Sequence, residues 1–144
     1  LAQRLAARWP ATPVATVHLA LHGFEGMRTR RPAKAADLAG KRVVVAAGIA
    51  DPVSFAVQVR AAGAVVQLVA YQDHHPYPPG DVARLVQTAR GADYVVVTEK
   101  DAVKLRDRWP ADVPEPLVAV LQVHWEQNGE AVERALEGIV RRAL

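Results

Sequence analysis

The first forty residues carry no steady period. Leu1 and Leu5 sit at helical spacing beside Arg4 and Arg8, and Trp9-Pro10 and Thr12-Pro13 then break the pattern before the apolar run Val14–Leu21. A short helix and a strand are predicted there. Gly23 to Gly40, with Arg28, Arg30 and Arg31 beside Pro32, reads as an irregular surface connection. From Lys41 the pattern becomes regular. Val43-Val44-Val45-Ala46-Ala47 is a continuous run of the kind shown by a strand buried on both faces. Asp51-Pro52 supplies an N-cap and a first-turn proline, Phe55, Val59 and Ala62 recur at i, i+4 and i+7, and Gly63 ends the predicted helix. Ala64–Tyr71 is the next strand, and Asp81 is read as the cap of a helix with Val82, Leu85, Val86 and Ala89 on one face. Tyr94–Val97 gives a further strand, and Asp101 opens a helix with Ala102, Leu105 and Trp109 on one side. Leu117–Val123 is the last strand. Asn128 caps a final helix whose buried stripe is Val132, Ala135, Leu136, Ile139 and Val140.

Alternating strands and helices with short connections predict a three-layer α/β fold, Rossmann-like, with a mostly parallel sheet and helices on both faces. One domain over residues 1–144 is expected: 1–40 hold the opening helix, first strand and irregular connection, and 41–144 hold the regular βα units. A length of 144 residues suits one core. With 51% hydrophobic and 23% charged residues the chain is not a disordered tail, and a net charge of +3 is too small to mark a nucleic-acid partner. The absence of cysteine excludes a disulfide framework, a thiolate nucleophile, a Cys-ligated zinc site and an iron–sulfur cluster. No apolar run approaches the about 18 residues of a spanning helix, so this stretch by itself is expected to be soluble. It begins with Leu rather than Met, as a piece of a longer polypeptide would.

In such sheets ligands bind beyond the carboxyl ends of the strands, which directs attention to Gly48–Asp51, Gln72–Pro79, Thr98–Asp101 and His124-Trp125. Asp73-His74-His75-Pro76-Tyr77 places a carboxylate, two imidazoles and a phenol directly after a predicted strand. A histidine can take a proton from a hydroxyl, and a neighbouring carboxylate can fix its tautomer. The plain alternative is a polar turn. Neighbouring residues on an extended chain diverge, so these residues make no metal site alone, and none is expected. Thr98-Glu99-Lys100-Asp101 opens a helix where an anion could sit, with Lys100 or Lys104 adding charge, but Thr98-x-x-Asp101 is also a capping box that needs no ligand. Gly48 permits close backbone approach, while Asp51-Pro52 is explained as a helix start. His18, His22 and His124 stand alone in sequence and read as structural, and the arginine cluster reads as an exposed basic loop. No G-x-x-x-x-G-K-[ST] phosphate loop and no G-x-S-x-G nucleophile elbow is present.

Three motifs in order carry a family resemblance: Ala47-Gly48-Ile49-Ala50-Asp51-Pro52 with Phe55, Asp73-His74-His75-Pro76-Tyr77, and Thr98-Glu99-Lys100-Asp101-Ala102-Val103-Lys104-Leu105. Over Lys41–Leu105 the chain resembles the C-terminal half of the tetraacyldisaccharide 4′-kinases, the lipid A 4′-kinases. Gln72 stands where a small residue or proline is expected, and Ala50-Asp51 replaces the more usual Gly-Asn. The resemblance implies the C-terminal lobe of a two-lobe enzyme at the cytoplasmic face of the bacterial inner membrane. That enzyme transfers the γ-phosphate of ATP, with Mg²⁺, to the 4′-hydroxyl of tetraacyldisaccharide 1-phosphate in lipopolysaccharide biosynthesis. The nucleotide, the metal and the membrane anchor would belong mainly to an N-terminal P-loop lobe of the same polypeptide, without which this lobe would be inactive. His74 then matches the family's functional histidine, with Asp73 orienting it, while His75, Tyr77, Gly48, Thr98, Glu99, Lys100 and Asp101 would bind substrate or line the cleft. A stand-alone α/β module that grips an anionic sugar or nucleotide without chemistry remains the alternative.

Overall fold

The computed structural model describes residues 1–143, and its elements alternate as the period of the sequence requires. In chain order they are α1 (Ala2–Arg8), β1 (Thr16–Gly26), β2 (Pro32–Ala33), a 3-10 turn over Ala35–Leu38, β3 (Arg42–Ala47), α2 (Pro52–Ala61), β4 (Val65–Ala70), α3 (Pro79–Ala89), β5 (Tyr94–Val97), α4 (Glu99–Leu105), β6 (Leu117–Gln127) and α5 (Gly129–Ala143). One six-stranded sheet has the order β2-β1-β6-β5-β3-β4. β3 pairs in parallel with β4 and with β5, and β5 with β6, while β1 and β2 pair antiparallel.

Two apolar layers cover the two faces of β3, because successive side chains of a strand point to opposite sides. Val44 and Ala46 pack with Val82 and Leu85 of α3 and Ala102 and Leu105 of α4. Val43, Val45 and Ala47 pack with Phe55, Ala56 and Val59 of α2. The fold is therefore the three-layer, mostly parallel α/β arrangement that the pattern predicts. β4, at the sheet edge, is only half-buried.

By packing, the chain divides into two compact units, Leu21–Leu121 and a smaller one made of Leu1–Ala20 and the chain from Gln122 onward. In the larger unit the stretch Gly23–Gly40 is not a loose surface connection. Its first residues extend β1, Phe24 and Glu25 pair with Ala33 and Pro32, and Phe24, Met27 and Leu38 are fully buried. Arg28 reaches from this stretch to the carbonyls of Arg106 and Trp109, and Glu115 accepts from the amides of Arg28 and Thr29, so partners far away in sequence hold it. Two helix starts also differ. α3 begins at Pro79 with Pro78 as its N-cap, since proline needs no N–H partner in a first turn, which puts Asp81 inside the helix. α4 begins at Glu99 with Thr98 as its cap, so Asp101 sits in the first turn rather than opening it.

In the smaller unit β6 runs on to Gln127, and Asn128 takes a left-handed φ of 56° before α5. The α5 stripe is not buried there. Leu136, Ile139 and Val140 are 55%, 61% and 57% exposed, because no element of the described residues covers them.

Candidate functional site

β3 and β5 are neighbours whose onward connections leave in opposite directions along the sheet, β3 towards β4 at the edge and β5 towards β6. Such a switch point opens a crevice at the carboxyl ends of the strands. Here that position is occupied by three convergent segments: Gly48 after β3, the 72–77 turn after β4, and Thr98–Asp101 after β5. The Gly48 amide donates to Asp101 Oδ2 at 3.0 Å, and the Thr98 hydroxyl donates to the same oxygen at 2.6 Å. The Thr98 Oγ in turn accepts from the Asp101 amide, so Thr98 caps α4, but the Asp101 carboxylate is turned to the Thr98 hydroxyl and the Gly48 amide rather than closing a reciprocal capping box. The Gly48 carbonyl accepts from the His74 amide at 3.1 Å. A Cβ on Gly48 would stand 3.0 Å from Asp101 Oδ1, 3.1 Å from the His75 Cβ and 3.2 Å from the Gln72 carbonyl, so only glycine lets the segments meet.

The 72–77 turn is strained and strongly held. His74 and Tyr77 have φ of 61° and 52°, a left-handed conformation that costs a non-glycine residue about 1–2 kcal/mol. Such residues persist where the surroundings over-determine them. Lys104 of α4 donates to the His75 carbonyl at 3.0 Å, and Arg108 donates to the carbonyls of Pro76 and Tyr77. Lys104 is thereby a clamp on the turn. Tyr77 is fully buried, and rings of Tyr71, His75 and Tyr77 pack mutually at 4.6–4.9 Å between centroids.

The two histidines of the turn differ sharply. The His74 side chain is 73% exposed, with its Nε2 3.7 Å from Asp73 Oδ2, beyond hydrogen-bond range. Asp73 instead accepts the His74 amide through Oδ1, and Lys100 Nζ lies 3.9 Å from that oxygen. His75 is 19% exposed and its Nε2 lies 2.7 Å from Asp81 Oδ2, whose second oxygen is taken by Arg84. Partial burial of Asp81 pushes its carboxyl up, but the hydrogen bonds of Arg84 and His75 outweigh that and hold it below the usual carboxylate range. An ionised carboxylate only accepts, so the His75 Nε2–H is the donor.

Asp101 is wholly buried, and among the described residues its Oδ1 and the Tyr77 hydroxyl both lack a partner of good geometry. Burial first, and the nearby Asp101 carboxylate second, push the Tyr77 phenol well above its ordinary value, which keeps it protonated. Glu99 and Lys100 are exposed at the start of α4. Of the sequence candidates, then, Asp73, His74, Glu99 and Lys100 face outward at the strand ends, and Gly48, His75, Tyr77 and Asp101 form the joint beneath them, with the half-buried Thr98 capping α4.

Several partnerships were not visible in the sequence. Asp81, a cap by sequence pattern, is the partner of His75, six residues away across the Pro78-Pro79 helix start. In the smaller unit His18 and His124 stack at 5.3 Å, and Glu126 Oε1 lies 2.9 Å from His18 Nδ1. Nothing local signals a pairing across more than a hundred residues. Among the described residues no group of three or more His, Cys, Asp or Glu could hold a metal ion, and no helix is long and apolar enough to cross a membrane.

The family model described as tetraacyldisaccharide-1-P 4′-kinase matches residues 2–141. The tetraacyldisaccharide 4′-kinase of Methylobacterium radiotolerans is 39% identical over 123 residues, covering 83% of this chain and 35% of that protein. That of Methylobacterium nodulans is 35% identical over 148 residues, covering 91% and 42%. That of Geobacter metallireducens is 46% identical over 71 residues, covering 47% and 21%. The chain thus spans well under half the length of these curated relatives. No solved structure matches it.

Proposed function

The chain belongs to the tetraacyldisaccharide-1-P 4′-kinase family, and from that premise we propose that it is the C-terminal α/β lobe of an enzyme that phosphorylates the 4′-hydroxyl of tetraacyldisaccharide 1-phosphate, a lipid A precursor. ATP and Mg²⁺ would be held mainly by a P-loop lobe of the same polypeptide, at the cytoplasmic face of the inner membrane. The residues of this chain do not themselves fit either group: it has no phosphate loop, and its described carboxylates and histidines form no metal-binding cluster. What it contributes is the 72–77 turn.

The observation that carries the reading is the exposed His74 imidazole at the switch point, on a turn clamped by Lys104 and Arg108. Phosphoryl transfer depends on positioning and charge stabilisation, so the acceptor hydroxyl and its base can be supplied from different lobes. His74 takes the hydroxyl proton. Asp73, too far for a hydrogen bond here, lies near enough to favour the imidazolium that results, and Lys100 Nζ lies 3.9 Å from the other oxygen of that carboxylate. Turnover of the complete enzyme tests this: His74→Ala lowers kcat by about 10²–10⁴, the usual contribution of a general base. Near-normal kcat would remove His74 from the chemistry and favour the non-catalytic binding role.

A further inference from the structure

We infer that His75 is a positioning residue: with Asp81 it forms a latch that fixes the 72–77 turn and thereby aims the His74 imidazole. The inference rests on the role proposed for His74. Two adjacent imidazoles occupy opposite surroundings, one 73% exposed and the other 19%. Among the described residues the exposed ring has no hydrogen-bond partner, whereas the inner ring is bound on several sides. Its Nε2–H meets Asp81 Oδ2 at 2.7 Å, its face stacks on Tyr71 at 4.6 Å, and Tyr77 lies edge-on at 4.9 Å.

The backbone explains why such a latch is needed. On its N-terminal side the turn is tied to the sheet, since the Tyr71 and His74 amides donate to the Ala47 and Gly48 carbonyls. On its C-terminal side Pro76 has no N–H to give, and the chain must pass through Tyr77 in a left-handed conformation before α3 begins. There the turn is held by side chains: His75 on Asp81, and Lys104 and Arg108 on three successive carbonyls. Asp81 is itself fixed in the first turn of α3, where the helix dipole favours a carboxylate, and by Arg84. The left-handed His74 lies between these two anchorages, so releasing the His75 side lets its Cα shift while the sheet side stays in place.

The test uses the complete enzyme, with steady-state kinetics and amide hydrogen exchange of the 72–77 segment. His75→Ala is expected to lower kcat about 10–100-fold with KM for both substrates within about twofold, the loss that a shift of about 1 Å in a catalytic group produces. His75→Gln, whose amide can still donate to Asp81, recovers most of kcat. The double variant His75→Ala/Asp81→Ala is no worse than the weaker single variant, as for two residues acting as one unit. The His74 and His75 amides exchange faster in His75→Ala than in His75→Gln. A raised KM with kcat intact would instead mean that His75 meets substrate. Additive losses, no rescue by Gln, or unchanged exchange would each overturn the latch. Should His74→Ala leave turnover normal, the role proposed for His74 falls while exchange still decides the latch by itself. If His75→Ala does not fold, Asp81→Asn, which keeps an acceptor oxygen but removes the charge, is expected to speed exchange by a smaller factor, and unchanged exchange there overturns the latch.

Discussion

The unit Leu21–Leu121 and the smaller unit made of Leu1–Ala20 and the chain from Gln122 onward use similar apolar residues to different ends. In the larger unit the stripes of α2, α3 and α4 are covered by β-strand faces, and Val45, Val59 and Leu105 have no exposed surface. In the smaller one, Leu136, Ile139 and Val140 of α5 repeat with equal regularity and stay more than half exposed. A 3.6-residue period therefore reports which face of a helix is apolar, not that anything in the same chain covers it.

The largest effect that tests this contrast comes from emptying the larger core. Leu105→Ala should cost about 2–5 kcal/mol, because a leucine locked among Val97, Ala102 and Trp109 leaves a cavity that a close-packed sheet cannot fill. Urea unfolding followed by Trp109 emission, with Trp9 and Trp125 replaced by Phe, reads that unit alone; a loss below about 1 kcal/mol would mean that the core is loosely packed. Gly48→Ala should come next, at about 1–3 kcal/mol, since its methyl would press on Asp101, the His75 Cβ and a backbone carbonyl together. A neutral result would show that the three strand-end segments are not in firm contact.

How much of this was legible follows from how local each interaction is. The β-branched run of β3 and the Asp51 and Thr98 caps involve residues within a few positions of one another, so their patterns were readable. The chemically unusual Asp73–Tyr77 turn was visible by composition alone. Its internal division was not: nothing in Asp73-His74-His75 says which imidazole turns inward, because that depends on Asp81, Lys104 and Arg108 arriving from later elements. The burial of Phe24, Met27 and Leu38 was hidden for the same reason, since Arg28 and its carbonyl acceptors lie about eighty residues apart. The α5 period marks an apolar face, but that face is not buried, because burial depends on a covering element that a period does not report.

Acid should also weaken the larger unit. The carboxyls of Asp51, Asp81 and Glu115, all in the larger unit, lie below their ordinary values of 3.8, 3.8 and 4.5. A depressed folded-state pKa contributes stability that is present above the unfolded value and is lost as pH falls through the folded one. The larger unit should therefore weaken as pH drops from neutral towards about 3, with most of the change below the ordinary carboxyl values. Asp81→Asn should make the Trp109 midpoint less steep in pH over that interval, and an unaltered slope would show that the His75 and Arg84 contacts do not act on the carboxyl.

The smallest expected effect is the most direct check on α5. Ile139 is 61% exposed on a helix, so removing its side chain takes away little buried surface, and alanine is the better helix former. Ile139→Ala should change the stability of this chain by no more than about 0.5 kcal/mol in either direction, as at ordinary surface positions. Helix content by far-UV circular dichroism during denaturation gives the readout, because α5 contains no tryptophan. Val59→Ala, in the last turn of α2 and wholly buried, should cost several times as much, since that side chain belongs to the buried cluster of Phe55 and the β3 residues Val43, Val45 and Ala47. Equal losses at the two positions would mean that the α5 stripe is covered by this chain in solution, and the contrast between the two units would then disappear.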